Sequence, residues 1–265
     1  MRWIVTCLLR NTRKTECGAS LFLTPLAVRA APFALLVGAV WTQIAPPRIG
    51  YVLQDGRWQA IYGVRGNFLP GEVVTGNVLS AAFSGSTGLV KTDTAVVVFD
   101  ENAVEQARLD APPGPAVFAF DAGGSPALVY FPESHTSWPP IPEGLADPVE
   151  SAAPLGNGQF AFVIRRGLRL NNDLWLVRPG SEQLLTGVHA PVLLLPGGRL
   201  LYSDDREIVI RETTGVERRL PLPASALRLE QIGDGWIHVV TEKAGLALRL
   251  TADAEEIFFL PLRNP

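Results

Sequence analysis

The chain has 265 residues, 47% of them hydrophobic, and a net charge of −3 from 23 basic and 26 acidic side chains. A chain of this composition can bury a sizeable core and does not resemble a disordered one. The balance of charges gives no reason to expect binding to nucleic acid, which calls for a strongly basic surface. The two cysteines, Cys7 and Cys17, lie near the amino terminus, so the remaining sequence has no disulfide, thiolate nucleophile or cysteine-ligated zinc.

Residues 1–45 differ from the rest and are predicted to be an export signal or a membrane anchor. They hold five basic residues and one acidic residue, a charge of +4, which leaves 18 basic and 25 acidic residues, a charge of −7, for the remainder. Ala30–Trp41 is an apolar run of 12 residues behind Arg29, long enough for a signal-peptide core and too short to span a bilayer. We expect a periplasmic or secreted protein, with a membrane-anchored protein facing outside the cytoplasm or an ordered amino-terminal helix as alternatives. Translation from Val28 through an alternative start codon would produce a compact signal, which amino-terminal sequencing would test.

The body of the sequence repeats one unit five times. In Leu193–Pro223, four short apolar segments alternate with turns, and the same pattern recurs from Val78 to Leu262. The first turn of each unit is rich in glycine, because tight hairpins require positive φ angles. These turns are centred on Gly85, Gly123, Asn157, Gly197 and Asp234, at spacings of 38, 34, 40 and 37 residues.

The repeats predict an all-β fold. Each apolar run has 4–7 residues, is rich in β-branched and aromatic side chains, and shows no helical periodicity. A repeat of about 40 residues with four strands is typical of a β-propeller blade. We therefore predict a single propeller domain over residues 46–265, with five blades in residues 78–265. A β-sandwich with evenly spaced turns is the alternative fold.

Residues 49–77 precede the first full unit and contain a hairpin with an Asp55–Gly56 turn. We interpret this hairpin as the outer two strands of a further blade, which would close the ring or lie as a cap. A ring of six blades with one incomplete is the second possibility. The second repeat is degenerate near Pro139–Pro142.

These repeats make the chain similar to β-propeller repeat proteins over about Val78 to Leu262. It resembles most the extracytoplasmic bacterial propellers related to NHL, YVTN and TolB repeats. The blades lack a closing Trp-Asp dipeptide and the sialidase-type Asp-box, so no subfamily is assigned. The resemblance implies an exported protein, and propellers of this kind include both binding modules and enzymes.

Few residues in the sequence suggest catalytic or metal chemistry. His238 lies in the strand sequence Trp-Ile-His-Val-Val and is expected to be buried with a hydrogen-bond partner. His135 and His189 fall in loops, and neither has the spacing of a metal ligand pair. No metal site, cofactor or catalytic residue is therefore predicted.

A binding surface is predicted at one end of the propeller. In a four-stranded blade, the loop between the second and third strands and the connection to the next blade emerge on the same face of the ring. Arginine and aromatic side chains commonly anchor interfaces, which favours recognition of a protein or a glycan at this face. The candidate binding residues are Arg166, Arg169, Asp173, Asp204, Arg206, His135 and Trp138.

We therefore predict an exported, non-enzymatic binding or scaffold module without nucleic-acid partners, and with membrane contact only through residues 1–45 if they remain uncleaved. The alternative is a propeller enzyme, a glycan lyase, hydrolase or oxidoreductase, with its site at the ring centre. The polar exceptions on the otherwise apolar inner strands are Ser80, Glu150, Ser151, Arg228 and Glu230. Convergence of Glu150, Arg228 and Glu230 in a deep pocket would favour the enzyme. A truncated member of a longer propeller family is a third possibility, and the oligomeric state stays open.

Overall fold

The structure is a computed structural model that describes residues 46–141, 145, 147–167, 173–251 and 254–261. The predicted signal or anchor in residues 1–45 lies outside the described residues. The described part of the chain contains 22 strands and one short 3-10 turn, Pro196–Gly198. The strands are β1 (Arg48–Gln54), β2 (Arg57–Val64), β3 (Asn67–Thr75), β4 (Ser80–Phe83), β5 (Thr87–Lys91), β6 (Ala95–Asp100), β7 (Glu105–Asp110), β8 (Val117–Phe120), β9 (Pro126–Phe131), β10 (Thr136–Trp138), β11 (Val149–Gly156), β12 (Gln159–Arg166), β13 (Asp173–Arg178), β14 (Ser181–Leu184), β15 (Val192–Leu194), β16 (Leu200–Asp204), β17 (Glu207–Arg211), β18 (Glu217–Pro221), β19 (Ala226–Gly233), β20 (Trp236–Thr241), β21 (Gly245–Leu250) and β22 (Glu255–Leu260).

The strands form six antiparallel sheets arranged as the blades of a β-propeller. In chain order the blades are β1–β3, β4–β7, β8–β10, β11–β14, β15–β18 and β19–β22, and each is built from consecutive strands. The five repeats of the sequence correspond to blades 2 to 6, as predicted. The predicted count of five blades is wrong, because residues 48–75 form a blade of their own, and the six-bladed alternative is consistent with the structure.

The strands read as continuous apolar runs because both faces of a blade are covered. In blade 5, Leu200 and Tyr202 pack toward blade 4, while Leu201 and Ile208 pack toward blade 6. A sheet that is solvated on one face would alternate apolar and polar residues instead. Burial between neighbouring blades therefore explains the short apolar segments seen in the sequence.

Blade 1 runs in the opposite direction to its neighbours. The Arg228 Nη2 atom, near the start of β19, donates to the carbonyl of Leu53, near the end of β1, at 3.0 Å. At the other end of the same pair of strands, the carbonyl of Ile49 lies against Gly233. On the side of blade 2, the amide of Val78 donates to the carbonyl of Gly56 at 2.9 Å, so β4 begins where β1 ends. The strand β1 is thus antiparallel to both β4 and β19.

The odd number of strands in blade 1 explains this reversal. A blade of four strands returns the chain to the end of the propeller at which it entered, whereas three strands leave it at the opposite end. Residues 76–79 separate β3 from β4 and, with their flanking residues, span at most about 18 Å when extended. The hydrogen bond between Val78 and Gly56 shows that this connection stays at the end where β1 and β3 finish, so blade 1 is inverted. The sequence-based prediction that residues 49–77 supply two outer strands is therefore wrong: they form three strands, the first of which is buried between two blades.

Aromatic packing holds blade 1 against blade 2. The Trp58 ring stacks on Tyr51 with ring centroids 4.4 Å apart and lies 4.9 Å from the ring of Phe99 in blade 2. On the opposite face of blade 1, Val52 and Ile61 pack on blade 6. Consecutive residues of β1 are buried because their side chains point alternately toward blade 2 and toward blade 6.

The buried Tyr51 predicts a loss of stability at alkaline pH. Burial raises the pKa of this phenol, against an opposing effect of Arg48, so the folded state favours the neutral form. A raised folded-state pKa contributes stability that is complete below the unfolded value and is lost as the pH rises above it, from about pH 10 for tyrosine. We expect the free energy of unfolding to fall less steeply between about pH 9 and 11 in Tyr51→Phe than in the wild type. Parallel profiles, measured by urea unfolding at each pH, would contradict this expectation.

Candidate functional site

A narrow channel runs along the centre of the propeller. Its lining comes from the inner strands β4, β8, β11, β15 and β19, and it encloses a cavity of 180 Å³. Strand β1 is set back from this lining, and β4 contacts β19 directly. The polar residues predicted on the inner strands do reach this cavity: Ser80, Glu150, Ser151, Arg228 and Glu230.

The charged groups of the channel form ion pairs with one another or with neighbouring strands. Glu150 pairs with Arg165 at 2.6 Å, and Glu230 pairs with Arg228 at 2.8 Å. The second oxygen of Glu230 lies 3.2 Å from His238 Nδ1, and both side chains are buried. The prediction that His238 is buried with a hydrogen-bond partner is therefore confirmed.

This arrangement gives little support to a catalytic centre in the channel. The three residues singled out from the sequence line one cavity, but each carboxylate is already matched by an arginine. Small-molecule sites usually have volumes of about 300–1,000 Å³, larger than this cavity. We interpret the channel charges as contacts that fix the inner strands, and Arg228 in particular ties blade 6 to blade 1.

A larger depression lies at one end of the channel. We call this end the turn face, because the turns between the first and second strands of blades 2 to 6 lie there. Four of these turns, at residues 84–86, 121–124, 195–199 and 233–235, surround a cavity of 720 Å³. Pro196 and Gln231 line both this cavity and the channel, so the two spaces adjoin.

The depression carries excess negative charge. Asp121, Glu212 and Asp234 contribute −3 and Arg199 contributes +1, for a sum of −2. Arg199 lies 3.1 Å from Glu212, and one Asp121 oxygen accepts hydrogen bonds from the amides of Gly123 and Ser125 at 2.9 and 2.8 Å. The Asp234 side chain has no hydrogen bond or ion pair with any residue that the structure describes.

Sequence reasoning missed this depression, although its residues were the markers of the repeat. Aspartate and glycine occur at these turns because the turns need them, and that local reason conceals their convergence. The Cβ of Asp234 lies 3.3 Å from the position that a Cβ on Gly85 would take, which brings the turns of blades 6 and 2 together. One feature of the sequence could have indicated it. Each of the five turns joins the first and second strands of its repeat, and in a ring of blades such turns all lie at the same end.

Those predicted binding residues that the structure describes lie toward the opposite end, which we call the loop face because it carries the loops between the second and third strands of blades 2 to 6. There, Arg166 is held inside blade 4: its Nε lies 2.6 Å from Asp147, and its Nη1 and Nη2 lie 2.5 and 3.1 Å from Glu182. These hydrogen bonds raise the pKa of Arg166 and lower the pKa of Glu182. The Arg166 guanidinium also lies 5.5 Å from the Trp175 ring centroid. Arg166 is therefore part of the structure of its blade.

The remaining predicted residues make contacts within their own blades or face solvent. Asp204 pairs with Arg219 at 2.8 Å, and His135 Nδ1 lies 3.3 Å from the Tyr130 hydroxyl. Trp138 is half-buried and packs edge-on against Phe131, with ring centroids 4.8 Å apart, so its apolar surface is largely used for packing. Asp173 and Arg206 are exposed, and Arg169 lies outside the described residues.

Within the described ranges, no group of three or more histidine, cysteine, aspartate or glutamate side chains is placed to hold a metal ion. The same part of the chain contains no helix that is long and apolar enough to cross a membrane.

Comparisons with known proteins found similar chains among solved structures. No protein family and no curated protein matches the chain. Among solved structures, virginiamycin B lyase from Staphylococcus aureus is similar at 10% identity and a TM-score of 0.44, over 82% of this chain and 86% of the lyase. The Pan2 WD40 domain of Neurospora crassa is similar at 8% identity and a TM-score of 0.42, over 82% and 80%. PorZ, a surface component of the type-IX secretion system of Porphyromonas gingivalis, is similar at 12% identity and a TM-score of 0.45, over 82% of this chain and 37% of PorZ.

The six radially arranged sheets define the chain as a β-propeller protein. Its particular repeat family is not assigned by these similarities.

Proposed function

We propose that the protein is an exported, non-enzymatic binding module, and that it recognises its ligand, a protein or a glycan, at the depression of the turn face. The observation that carries this proposal is the cavity of 720 Å³ at the propeller axis, formed jointly by turns of four blades. A volume in this range is typical of ligand sites in proteins.

The construction of the depression suits recognition by a preformed surface. Each surrounding turn joins two strands of a blade that packs on its neighbours, so the turns are positioned by the whole ring. A surface that is already ordered loses less conformational entropy on binding than a flexible loop does. The channel behind it is lined by paired charges, which gives binding more support than catalysis.

The charge of the depression favours a protein ligand with a basic side chain. Asp121 has one carboxylate oxygen without a hydrogen bond in the described structure, and Asp234 has two. Glycan sites commonly add an aromatic surface for stacking, whereas the apolar lining here is aliphatic, from Leu195, Ile237 and Leu250. A lysine or arginine entering the depression would meet opposite charge in a partly desolvated space, where such contacts are strongest.

The double variant Asp121→Asn, Asp234→Asn tests this proposal. Arrays of basic peptides and of glycans should identify a ligand for the wild type, and the double variant should bind it at least about ten-fold more weakly, through loss of charge-assisted hydrogen bonds. The matched control is Asp173→Asn, Asp205→Asn, which removes the same charge from exposed positions on the loop face. Equal binding by the wild type and the turn-face variant would contradict the proposal.

The loop face predicted from the sequence is the second candidate surface. Its exposed members Asp173 and Arg206 have no ion pair with any described residue, so both are available to a partner. If the loop-face control variant, and not the turn-face variant, loses binding, the ligand is recognised at the loop face instead.

A further inference from the structure

The part of the turn-face depression that belongs to blade 5 carries a guanidinium group. Arg199 and Glu212 line the cavity there. Their side chains point toward blade 6, because Leu201 and Ile210, two residues away in the same strands, pack on that side. Ile237 of blade 6 faces them from the other side of the cavity. The depression therefore extends between blades 5 and 6, with Arg199 on its wall.

Arg199 is the positive end of a chain of ion pairs. Its Nε atom lies 3.1 Å from the Glu212 carboxylate, and Arg218 Nη2 lies 2.6 Å from the same carboxylate. Arg218 also pairs with Glu255 of blade 6. The four groups sum to zero, but Arg199 is the end that has no second partner. Its Nη1 and Nη2 atoms make no hydrogen bond with any residue that the structure describes, and its side chain is 31% exposed. Both nitrogens can therefore donate to a ligand.

The unpaired carboxylates of the depression lie on another part of its rim. The Asp234 Cβ lies 3.3 Å from the Cβ position of Gly85, which joins the turns of blades 6 and 2. The Ser84 hydroxyl donates to the carbonyl of Gly124, which joins the turns of blades 2 and 3. Asp121 precedes Gly124 in the turn of blade 3. Blades 6, 2 and 3 thus hold the acidic groups, and blade 5 holds the basic one.

A polar group lies at the floor between these two parts of the rim. Gln231 lines both the depression and the channel beneath it, and its carboxamide makes no hydrogen bond with any described residue. A carboxamide can both donate and accept, which matches the two polar groups of a peptide bond. A cavity of 720 Å³, taken as a cube, is about 9 Å across, a distance that an extended chain covers in about three residues.

We propose that the depression binds a segment of a partner protein in which a basic side chain and a carboxylate lie about three residues apart. The basic side chain pairs with Asp121 and Asp234, the carboxylate pairs with the Nη atoms of Arg199, and a peptide group between them meets Gln231. Guanidinium groups bind carboxylates through two parallel hydrogen bonds, which suits Arg199 to this role. This inference rests on the function proposed above and adds a requirement for a carboxylate, which the excess negative charge of the depression does not predict.

The test uses capped, fluorescently labelled hexapeptides that carry one arginine and one glutamate two to four residues apart, in either order. Each has a twin with glutamine in place of glutamate, and binding to the full chain is followed by fluorescence anisotropy up to millimolar protein. We expect at least one glutamate peptide to bind about ten-fold more tightly than its twin, through a charge-assisted contact. Arg199→Gln should make the two affinities equal, and Glu212 keeps Arg218 as a partner in that variant. The turn-face variant Asp121→Asn, Asp234→Asn should weaken both peptides.

Arg178→Gln is the matched control, because it removes the same charge beside the same turn. Arg178 lies on the blade 4 side of that turn, with its Nη2 atom 3.8 Å from the Cβ position of Gly198, and it does not line the depression. The preference for glutamate should be unchanged in this control, and circular dichroism should show that all variants fold.

The outcomes separate this inference from the function on which it rests. If no glutamate peptide is preferred, or if the preference survives in Arg199→Gln, the role given to Arg199 is overturned. If twins bind equally and the turn-face variant weakens both, the carboxylate is not recognised, and the proposed function stands. If peptides bind but the turn-face variant weakens none of them, both proposals fail.

Discussion

Replacing Trp58 with alanine should lower the free energy of unfolding by about 3–5 kcal/mol, the usual cost of removing a large aromatic side chain from a packed core. Trp58 has no solvent exposure and joins blade 1 to blade 2 through its contacts with Tyr51 and Phe99. Its removal leaves a cavity between two blades that cannot collapse without moving the inverted blade. Urea unfolding at neutral pH, followed by tryptophan fluorescence and circular dichroism, measures the loss.

Phe259→Ala is the control for this experiment. Phe259 is also an aromatic residue of a strand, but 67% of its surface is exposed. Its replacement should change the free energy of unfolding by about 0.5 kcal/mol or less, as surface substitutions usually do. A loss below about 1.5 kcal/mol in Trp58→Ala would show that blade 1 is not held in the ring as described.

Replacing Gly50 with alanine should cost about 3 kcal/mol, at the upper end of overpacking effects. A Cβ at this position would fall inside the van der Waals radius of the Ile232 carbonyl oxygen in β19. The obstructing atom belongs to backbone, so neither strand can relieve the contact by changing a rotamer. The close approach exists because β1 packs behind β19 and β4 and contacts both of them, and the substitution therefore tests the packing of blade 1 on its neighbours.

Gly66→Ala separates this contact from backbone strain. Gly66 lies in a turn of the same blade at φ +75°, and a Cβ there would meet nothing within 4 Å. Alanine should cost only the strain of the left-handed conformation, about 1 kcal/mol. Equal losses in the two variants, measured by chemical denaturation, would show that β1 does not press on β19.

The Trp58→Ala and Gly50→Ala substitutions are also expected to affect the turn-face depression. Blade 1 contacts both blade 2 and blade 6, and the turns of those two blades meet at Gly85 and Asp234. A ring loosened at this junction should hold its turns less firmly. Ligand binding at the turn face is therefore expected to weaken in Gly50→Ala before the protein unfolds, which the array-derived ligand would report.

Most strands could be predicted because their signals are local. Glycine, aspartate and asparagine mark the turns, and runs of β-branched and aromatic residues mark the strands between them. In blade 5, the four short apolar segments predicted around Leu193–Pro223 correspond to β15, β16, β17 and β18. Burial of His238 was predictable for the same reason, since its apolar neighbours lie in the same strand.

The candidate sites were less predictable because they depend on residues far apart in the chain. Arg166 looked like a free arginine in a loop, yet it pairs with Asp147 and Glu182 on either side of it. Asp121 and Asp234 each satisfied a local turn rule, and nothing near them in sequence indicated that they line one depression.

The amino-acid sequence by itself determined the all-β character, the repeat of about 40 residues and the turns that separate its strands, because these properties depend on neighbouring residues. Only the tertiary structure decided the sixth blade, its reversed direction and the surfaces left between blades. An odd number of strands leaves the chain at the opposite end of a blade, and the connection of residues 76–79 stays at that end, so that blade 1 is inverted. That constraint acts through the geometry of the closed ring, so no local pattern of residues predicts it.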